Sequence, residues 1–170
     1  MVKAWREAWD SAILSGSLAA ICSAMALAIG GALEGRAPAG PLNGPSQWIY
    51  GRWAAHRRRA SFRHTVVGYA IHHIVSIGWA VLHEKHVASL FEEKSSPARL
   101  GAAAATAAIA CFVDYQVAQG RAQPGFEKQL SRKSLFAVYA AFAVGLALRP
   151  RVSQALAPRP LSDRADMTPR

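Results

Sequence analysis

The stretch SAILSGSLAAICSAMALAIGGAL, from Ser11 to Leu33, contains 23 consecutive residues without a formal charge. An α-helix rises about 1.5 Å per residue, so this stretch would form a helix about 34 Å long. The hydrocarbon core of a bilayer is about 30 Å thick. The stretch is therefore long enough to cross a membrane as a single helix.

Three further stretches are nearly free of charge. Residues 64–83 carry no Asp, Glu, Lys or Arg, residues 100–118 carry only Asp114, and residues 134–148 again carry none. Such stretches fit membrane spans better than the helices of soluble proteins, which average about 11–12 residues. We predict an all-α integral membrane bundle of four transmembrane helices, with a soluble Ala-rich bundle as the alternative. The predicted spans cover about residues 11–33, 62–84, 98–119 and 131–148, and a short interfacial segment lies between the first two.

The net charge of +10 comes from basic residues that cluster at the ends of the predicted spans. In a soluble protein that charge would indicate a nucleic-acid partner. At span ends, anionic lipid headgroups account for the same placement. We therefore predict the lipid bilayer as the partner and no nucleic acid, with RNA binding before the second span as the alternative. The residues predicted at the lipid interface are Trp48, Trp53, Arg57, Arg58 and Arg59.

Serines and a proline mark where helices begin and end. Ser46 is placed to cap a short helix in the interfacial segment, and Ser131 to cap the fourth span. Pro150 is expected to end the fourth span, after which residues 151–170 are predicted to form a disordered basic tail. Glu34, which follows the first span, is expected to be solvated. Lys and Arg divide equally between the two predicted membrane faces, ten on each, so both orientations stay open.

Small residues repeat at four-residue spacing in two of the spans. Helix backbones approach closely at such positions in lipid, where the hydrophobic effect does not pull helices together. The pattern predicts a compact bundle, and it also suits a homodimer or a larger membrane complex. The repeats are Ser15, Ala19 and Ser23 in the first span, and Gly101 with Ala105 and Ala103 with Ala107 in the third.

A set of polar residues in the second span follows a helical period. The members are spaced 4, 3, 4 and 3 residues apart, so they share one face of a helix. A polar face inside a membrane helix is expected to contact protein or water instead of lipid. Asp114 in the third span is the acidic residue available to pair with it. The set, called the histidine stripe below, consists of His72, Ser76, Trp79, His83 and His86.

Three interpretations of the histidine stripe are open. The histidines can hydrogen-bond to neighbouring helices and hold the bundle together. They can form a proton or ion path with Asp114, because imidazole changes charge near neutral pH. They can also bind haem b or a metal ion, for which His72, His83 and His86 are the candidate ligands. A haem held by two histidines would need a second copy or a partner subunit, since no other span carries a histidine.

The residues His72 to Val81, HHIVSIGWAV, follow the pattern H-x-I-x-S-I-x-aromatic-A-V. In this they resemble a stretch within a span of the YagU-like bacterial inner-membrane proteins. The resemblance covers ten of the 170 residues and matches His72 and Ser76 to positions of that family. It implies an inner-membrane protein of undefined activity associated with acid tolerance, which favours the proton path.

The sequence contains no glycine-rich phosphate loop, no HExxH and no GxSxG motif. We therefore predict no catalytic residue and no cofactor, and an enzyme is not the favoured interpretation. The expected role is that of a non-enzymatic accessory, assembly or proton-handling protein of a bacterial inner membrane. The alternative is a haem- or metal-binding subunit of a membrane redox complex.

Overall fold

A computed structural model describes residues 3–91 and 94–156 of the chain, and these residues form helices and turns without a strand. Each of the four long helices contains a segment long and apolar enough to cross a membrane. The prediction of an all-α bundle with four spans is therefore confirmed. The long helices are α1 (Trp5–Leu33), α2 (Phe62–Phe91), α3 (Ser96–Val117) and α4 (Arg132–Leu156).

The end of α4 differs from the prediction, because this helix passes through Pro150 and continues to Leu156. Proline lacks an N–H, and its ring crowds the carbonyl one turn earlier, but a helix in a membrane bundle tolerates this where neighbouring groups satisfy the freed carbonyl. The first six residues of the predicted disordered tail, 151–156, are thus helical. The other residues of that tail, 157–170, lie outside the described residues.

Two of the long helices contain turns of π-helix, in which the backbone bonds span five residues instead of four. In α2 such turns lie at Phe62–Val66 and Glu84–Ala88, and α3 ends in another at Val113–Val117. A π-turn inserts extra backbone into the helix and changes which side chains face the interior. Helical periodicity therefore does not carry over from one side of such a turn to the other.

Helix α1 is the centre of the bundle and packs against both α2 and α4, while α3 packs mainly against α4. The small residues Ser15, Ala19 and Ser23 of α1 are buried, as their spacing predicted. At the crossing of α1 with α4, a Cβ on Gly145 would overlap the Cα of Ala19. The backbones of these two helices therefore touch directly.

The repeat in α3 is only partly used within this chain. Ala103 and Ala107 are buried in the main core cluster, which also contains Ala80, Val81 and Phe142. Gly101 and Ala105 are exposed. Large apolar side chains also point outward along the bundle, among them Ile74, Phe112 and Phe136. Extensive outward apolar surface is expected of a bundle that lipid surrounds.

The segment between α1 and α2 is not the single short helix that the sequence predicted. It forms four short helices, and the one at Gln47–Tyr50 ends at Gly51, whose φ of +90° stops the helix. Ser46 does not cap this helix with its side chain, because its hydroxyl donates to the carbonyl of Asn43. The short helices are Ala39–Leu42, Gly44–Ser46, Gln47–Tyr50 and Arg52–His56.

These short helices pack against the connection between α3 and α4. The side-chain amide of Gln47 donates to the carbonyl of Gln123 at 2.6 Å, and the guanidinium of Arg121 donates to the carbonyls of residues 47, 48 and 49. Residues 39–59 and 119–130 together form what is called the cap below. The cap closes the end of the bundle where α2 and α4 begin.

Candidate functional site

Two consecutive histidines of α2 contact α1. The ring Nε2 of His72 lies 2.9 Å from the hydroxyl of Ser23, and the Nε2 of His73 lies 3.1 Å from that of Ser17. His73 has a second partner in Tyr69, one turn earlier on α2. Both histidines are partly buried, and both join α2 to α1.

The third histidine of the interior joins α2 to α3. His83 is buried, and its Nδ1 lies 2.8 Å from the hydroxyl of Thr106, which is also buried. Of the remaining stripe residues, Ser76 is buried and Trp79 packs against the main core cluster of alanines, Val81 and Phe142. Four of the five stripe residues thus contact neighbouring helices or the core of the bundle.

The fifth stripe residue, His86, lies outside the interior. It is exposed, and the edge of its ring faces Trp5 of α1 with 6.1 Å between the ring centroids. A π-turn at Glu84–Ala88 begins between His83 and His86, so the three-residue spacing of an α-helix no longer predicts where His86 lies. Glu84 itself keeps α-helical register, because its N–H donates to the carbonyl of Ala80, and it is buried on the same face as Ala80 and Val81.

Glu84 is not among the predicted site residues, and the structure places it in a buried ionic cluster. Its side chain is 1% exposed, and its two carboxylate oxygens each lie 2.9 Å from a cation, one from Lys3 Nζ and the other from Arg149 Nε. The two cations are themselves 14% and 13% exposed. This ionic cluster connects the beginning of α1, the end of α2 and the end of α4. One sequence signal pointed to it, since Lys3, Glu84 and Arg149 all lie at span ends on the same predicted membrane face.

Asp114 lies apart from the histidines. It belongs to the π-turn that ends α3, and the hydroxyl of Tyr139 on α4 donates to its carboxylate at 2.6 Å. The structure therefore pairs Asp114 with a tyrosine of the neighbouring helix and not with the stripe. Its contact fastens α3 to α4 near the cap.

The residues predicted for the lipid interface all belong to the cap. Trp48 and Trp53 are about half exposed, and Arg57, Arg58 and Arg59 are exposed. Their backbone is held from inside the fold: the buried side-chain amide of Asn43 donates to the carbonyls of Arg57, at 2.7 Å, and Arg59, at 3.2 Å. These five residues therefore lie on an ordered surface.

Glu34 is not merely solvated, as its position after the first span suggested. Its carboxylate accepts hydrogen bonds from the backbone N–H and hydroxyl of Ser131 and from the hydroxyl of Ser134. These bonds, that from the Ser131 hydroxyl above all, hold the pKa of Glu34 below its usual range. Ser131 also accepts from the backbone N–H of Ser134 at 3.4 Å, which agrees with its predicted capping role. Glu34 thus ties the end of α1 to the first turn of α4.

The candidate metal ligands do not converge. His72 and His83 are bonded to hydroxyls of different helices, and His86 is on the outside. Within residues 3–91 and 94–156, no group of three or more His, Cys, Asp or Glu residues is arranged to hold a metal ion.

No protein-family model matches the chain, and neither a curated protein nor a solved structure is significantly similar to it.

Proposed function

We propose that this chain is a non-enzymatic accessory or assembly protein of a bacterial inner membrane, a rigid bundle that acts through its surfaces. The observation that carries this proposal is that hydroxyl groups of neighbouring helices engage the histidines of the interior. His72 pairs with Ser23, His73 with Ser17 and His83 with Thr106. Such bonds give helix association its specificity in lipid, so the histidines serve packing.

Proton handling is the second candidate, and the resemblance of residues 72–81 to YagU-like proteins favours it. A proton path requires polar groups that connect to one another along the membrane normal. In the described part of the chain, no hydrogen bond links one histidine–hydroxyl pair to the next, and Asp114 bonds to Tyr139. These contacts favour packing over transport.

The alternative role is that of a haem- or metal-binding redox subunit. It requires axial histidines from two facing helices. All histidines within the spans belong to α2, so a second copy or a partner subunit would have to supply the other ligand.

The first experiment is a visible absorption spectrum and a metal analysis of the full chain, purified in mild detergent from its native membranes. Under our proposal, the preparation is colourless and contains no stoichiometric metal. A Soret band, or a metal that disappears in His72→Asn or His83→Asn, would assign the chain to the redox class instead.

A double-mutant cycle tests the packing role directly. His83→Leu, Thr106→Val and the double variant are compared by unfolding in detergent, with exposed His86→Leu as the control, because leucine cannot form the hydrogen bond to Thr106. We expect the buried pair to show a coupling of about 0.6 kcal/mol, the average for such bonds in a membrane protein. Zero coupling, together with loss of a pH-dependent cellular phenotype in His83→Asn, would favour proton handling.

An accessory role also requires another membrane protein. Native gel electrophoresis of mildly solubilised membranes should show the chain in an assembly larger than its own dimer, and the same assembly should form with His83→Asn. Migration solely as a free monomer or dimer would contradict the proposal.

A further inference from the structure

The cap carries a groove of about 580 Å³ whose walls are rich in guanidinium groups. Its size lies within the range of about 300–1,000 Å³ that is typical of ligand pockets. It opens beside the first turn of α2, at one end of a membrane span. The groove, called the arginine groove below, is lined chiefly by Trp53, Arg57, Arg58, Arg59, Arg63 and His64.

The positive charges of the arginine groove are not neutralised by the described residues. Across residues 3–91 and 94–156, no carboxylate lies within 4.0 Å of any of the four guanidinium groups that line it. Of the two acidic residues at or beside the cap, Glu34 accepts hydrogen bonds from Ser131, and Glu127 lies 3.4 Å from Lys128. Four cations around one concave surface attract an anion, and guanidinium groups suit the oxygens of a phosphate.

Two buried amide side chains fix the backbone of the groove. Asn43 donates to the carbonyls of Arg57 and Arg59, while Gln129 donates to the carbonyls of Ala55, at 2.8 Å, and Arg57, at 3.4 Å. The hydroxyl of Thr65 on α2 in turn donates to Asn43 at 2.7 Å. These two buried amides therefore hold in place a loop whose own side chains are exposed arginines.

Aromatic rings orient two of the arginines before any ligand binds. The guanidinium of Arg57 lies 4.9 Å from the centre of the Trp53 ring, and that of Arg63 lies 4.4 Å from the centre of the Tyr50 ring. The ring of His64 stands edge-on to both aromatic rings. Preordered side chains lose less conformational entropy on binding, which favours a defined site over a diffuse charged surface.

The position of the groove indicates the kind of anion. Phe62, the first residue of α2, is 81% exposed, and Val66, one turn further into the span, is also exposed. An anion in the groove would thus lie directly beside outward apolar surface. We propose that the arginine groove binds the phosphate headgroup of an anionic phospholipid, whose acyl chains lie along Phe62 and Val66.

The test compares two double variants that remove the same charge from the same end of the bundle. Arg58→Gln/Arg59→Gln changes the groove, whereas Arg132→Gln/Lys133→Gln changes exposed residues at the start of α4, outside it. The full chain is delipidated in mild detergent and titrated with phosphatidylglycerol or phosphatidylcholine, and bound lipid is counted by native mass spectrometry. We expect one tightly held phosphatidylglycerol, about tenfold or more weaker binding in the groove variant, and little change in the control.

Several outcomes would overturn the proposal. Equal weakening in both variants would mean general attraction to basic residues, and equal binding of phosphatidylcholine would remove the role of charge. Binding of inorganic phosphate alone, with displacement of the lipid, would assign the groove to a free anion. Binding of an RNA oligonucleotide that depends on Arg58 and Arg59, without lipid binding, would assign it to nucleic acid. Folding is checked by thermal unfolding, and it should be preserved because the cap uses the carbonyl of Arg59 and not its side chain.

Discussion

The two ends of the bundle are held together by different chemistry. At the end where α1 begins, the buried carboxylate of Glu84 binds Lys3 and Arg149, so charges join three helices. At the cap, neutral amides of Asn43 and Gln129 bind backbone carbonyls of the connecting loop. One end thus uses ions between helices, and the other uses hydrogen bonds between side chains and backbone.

The difference follows from what each end has to satisfy. Helices that converge already satisfy most of their backbone groups, so side-chain charges are the remaining means of connecting them. The carbonyls of a folded loop have no helical hydrogen-bond partner, so they need other donors where they are buried. A side-chain amide supplies such donors without introducing a charge. Removal of one charge should therefore lower the free energy of unfolding most at the ionic end, and removal of one hydrogen-bond donor should lower it most at the cap.

The largest effect is expected from Glu84→Gln at the ionic end. This change places Lys3 and Arg149 against a neutral side chain, and removal of one partner from a buried ion pair costs about 3–5 kcal/mol. The free energy of unfolding is measured by titration with dodecyl sulfate in mild detergent. Asp10→Asn is the control, because this carboxylate lies at an exposed position of α1 at the same end of the bundle, where a substitution changes the free energy of unfolding by no more than about 0.5 kcal/mol. Equal losses in both variants would show that the Glu84 cluster has no special role.

The next largest effect is expected from Asn43→Ala in the cap. It removes a donor to two carbonyls and an acceptor for Thr65, and the unsatisfied groups should lower the free energy of unfolding by about 2–3 kcal/mol. Hydrogen exchange of residues 55–59 should become faster, while exchange in the middle of α1 should not change. Gln119→Ala, at an exposed position of the cap, is the matched control. If exchange increased equally throughout the bundle, the cap would not be a separate unit.

A smaller loss of stability is expected from a change where the cap packs against α2. A Cβ at Gly68 would overlap the carbonyl oxygen of Leu42, so Gly68→Ala must push the cap away from the helix. We expect a loss of about 1–2 kcal/mol, measured by thermal unfolding in detergent. Gly78→Ala is the control on the same helix, since nothing lies within 4 Å of its Cβ position and the change should be neutral or stabilising. An unchanged thermal stability of Gly68→Ala would show that the cap packs only loosely against α2.

The smallest effect concerns Glu34 beside the cap, and it depends on pH. Hydrogen bonds from Ser131 and Ser134 lower the pKa of the folded state below that of a free glutamate, about 4.3. The stabilisation is therefore fully present above that pH and disappears as the pH falls through the lower pKa of the folded protein. The side chain is partly exposed, so the difference between the native chain and Glu34→Gln should stay below about 1 kcal/mol at pH 7. Unfolding midpoints of both proteins from pH 7 to pH 3 should converge at the acid end, and a constant difference would contradict this account.

The sequence by itself determined the four spans and the residues at which α1 packs. Runs without charge, their length relative to a bilayer, and small residues at four-residue spacing are local properties that can be read along the chain. The shared face of His72, Ser76, Trp79 and His83 is also a local property of the sequence, because a regular helix fixes which residues share a face.

Only the tertiary structure decided the partners of the polar groups. His86 lies beyond the start of a π-turn and is exposed, and the buried carboxylate of Glu84 binds two cations from other parts of the chain, neither of which a periodic pattern along α2 contains. The partners of Glu84 lie 81 and 65 positions away in the chain, and Gln129 binds a loop more than 70 residues before it. A bond between residues so distant depends on how whole helices cross, and that is set by the packing of all four helices and the cap together.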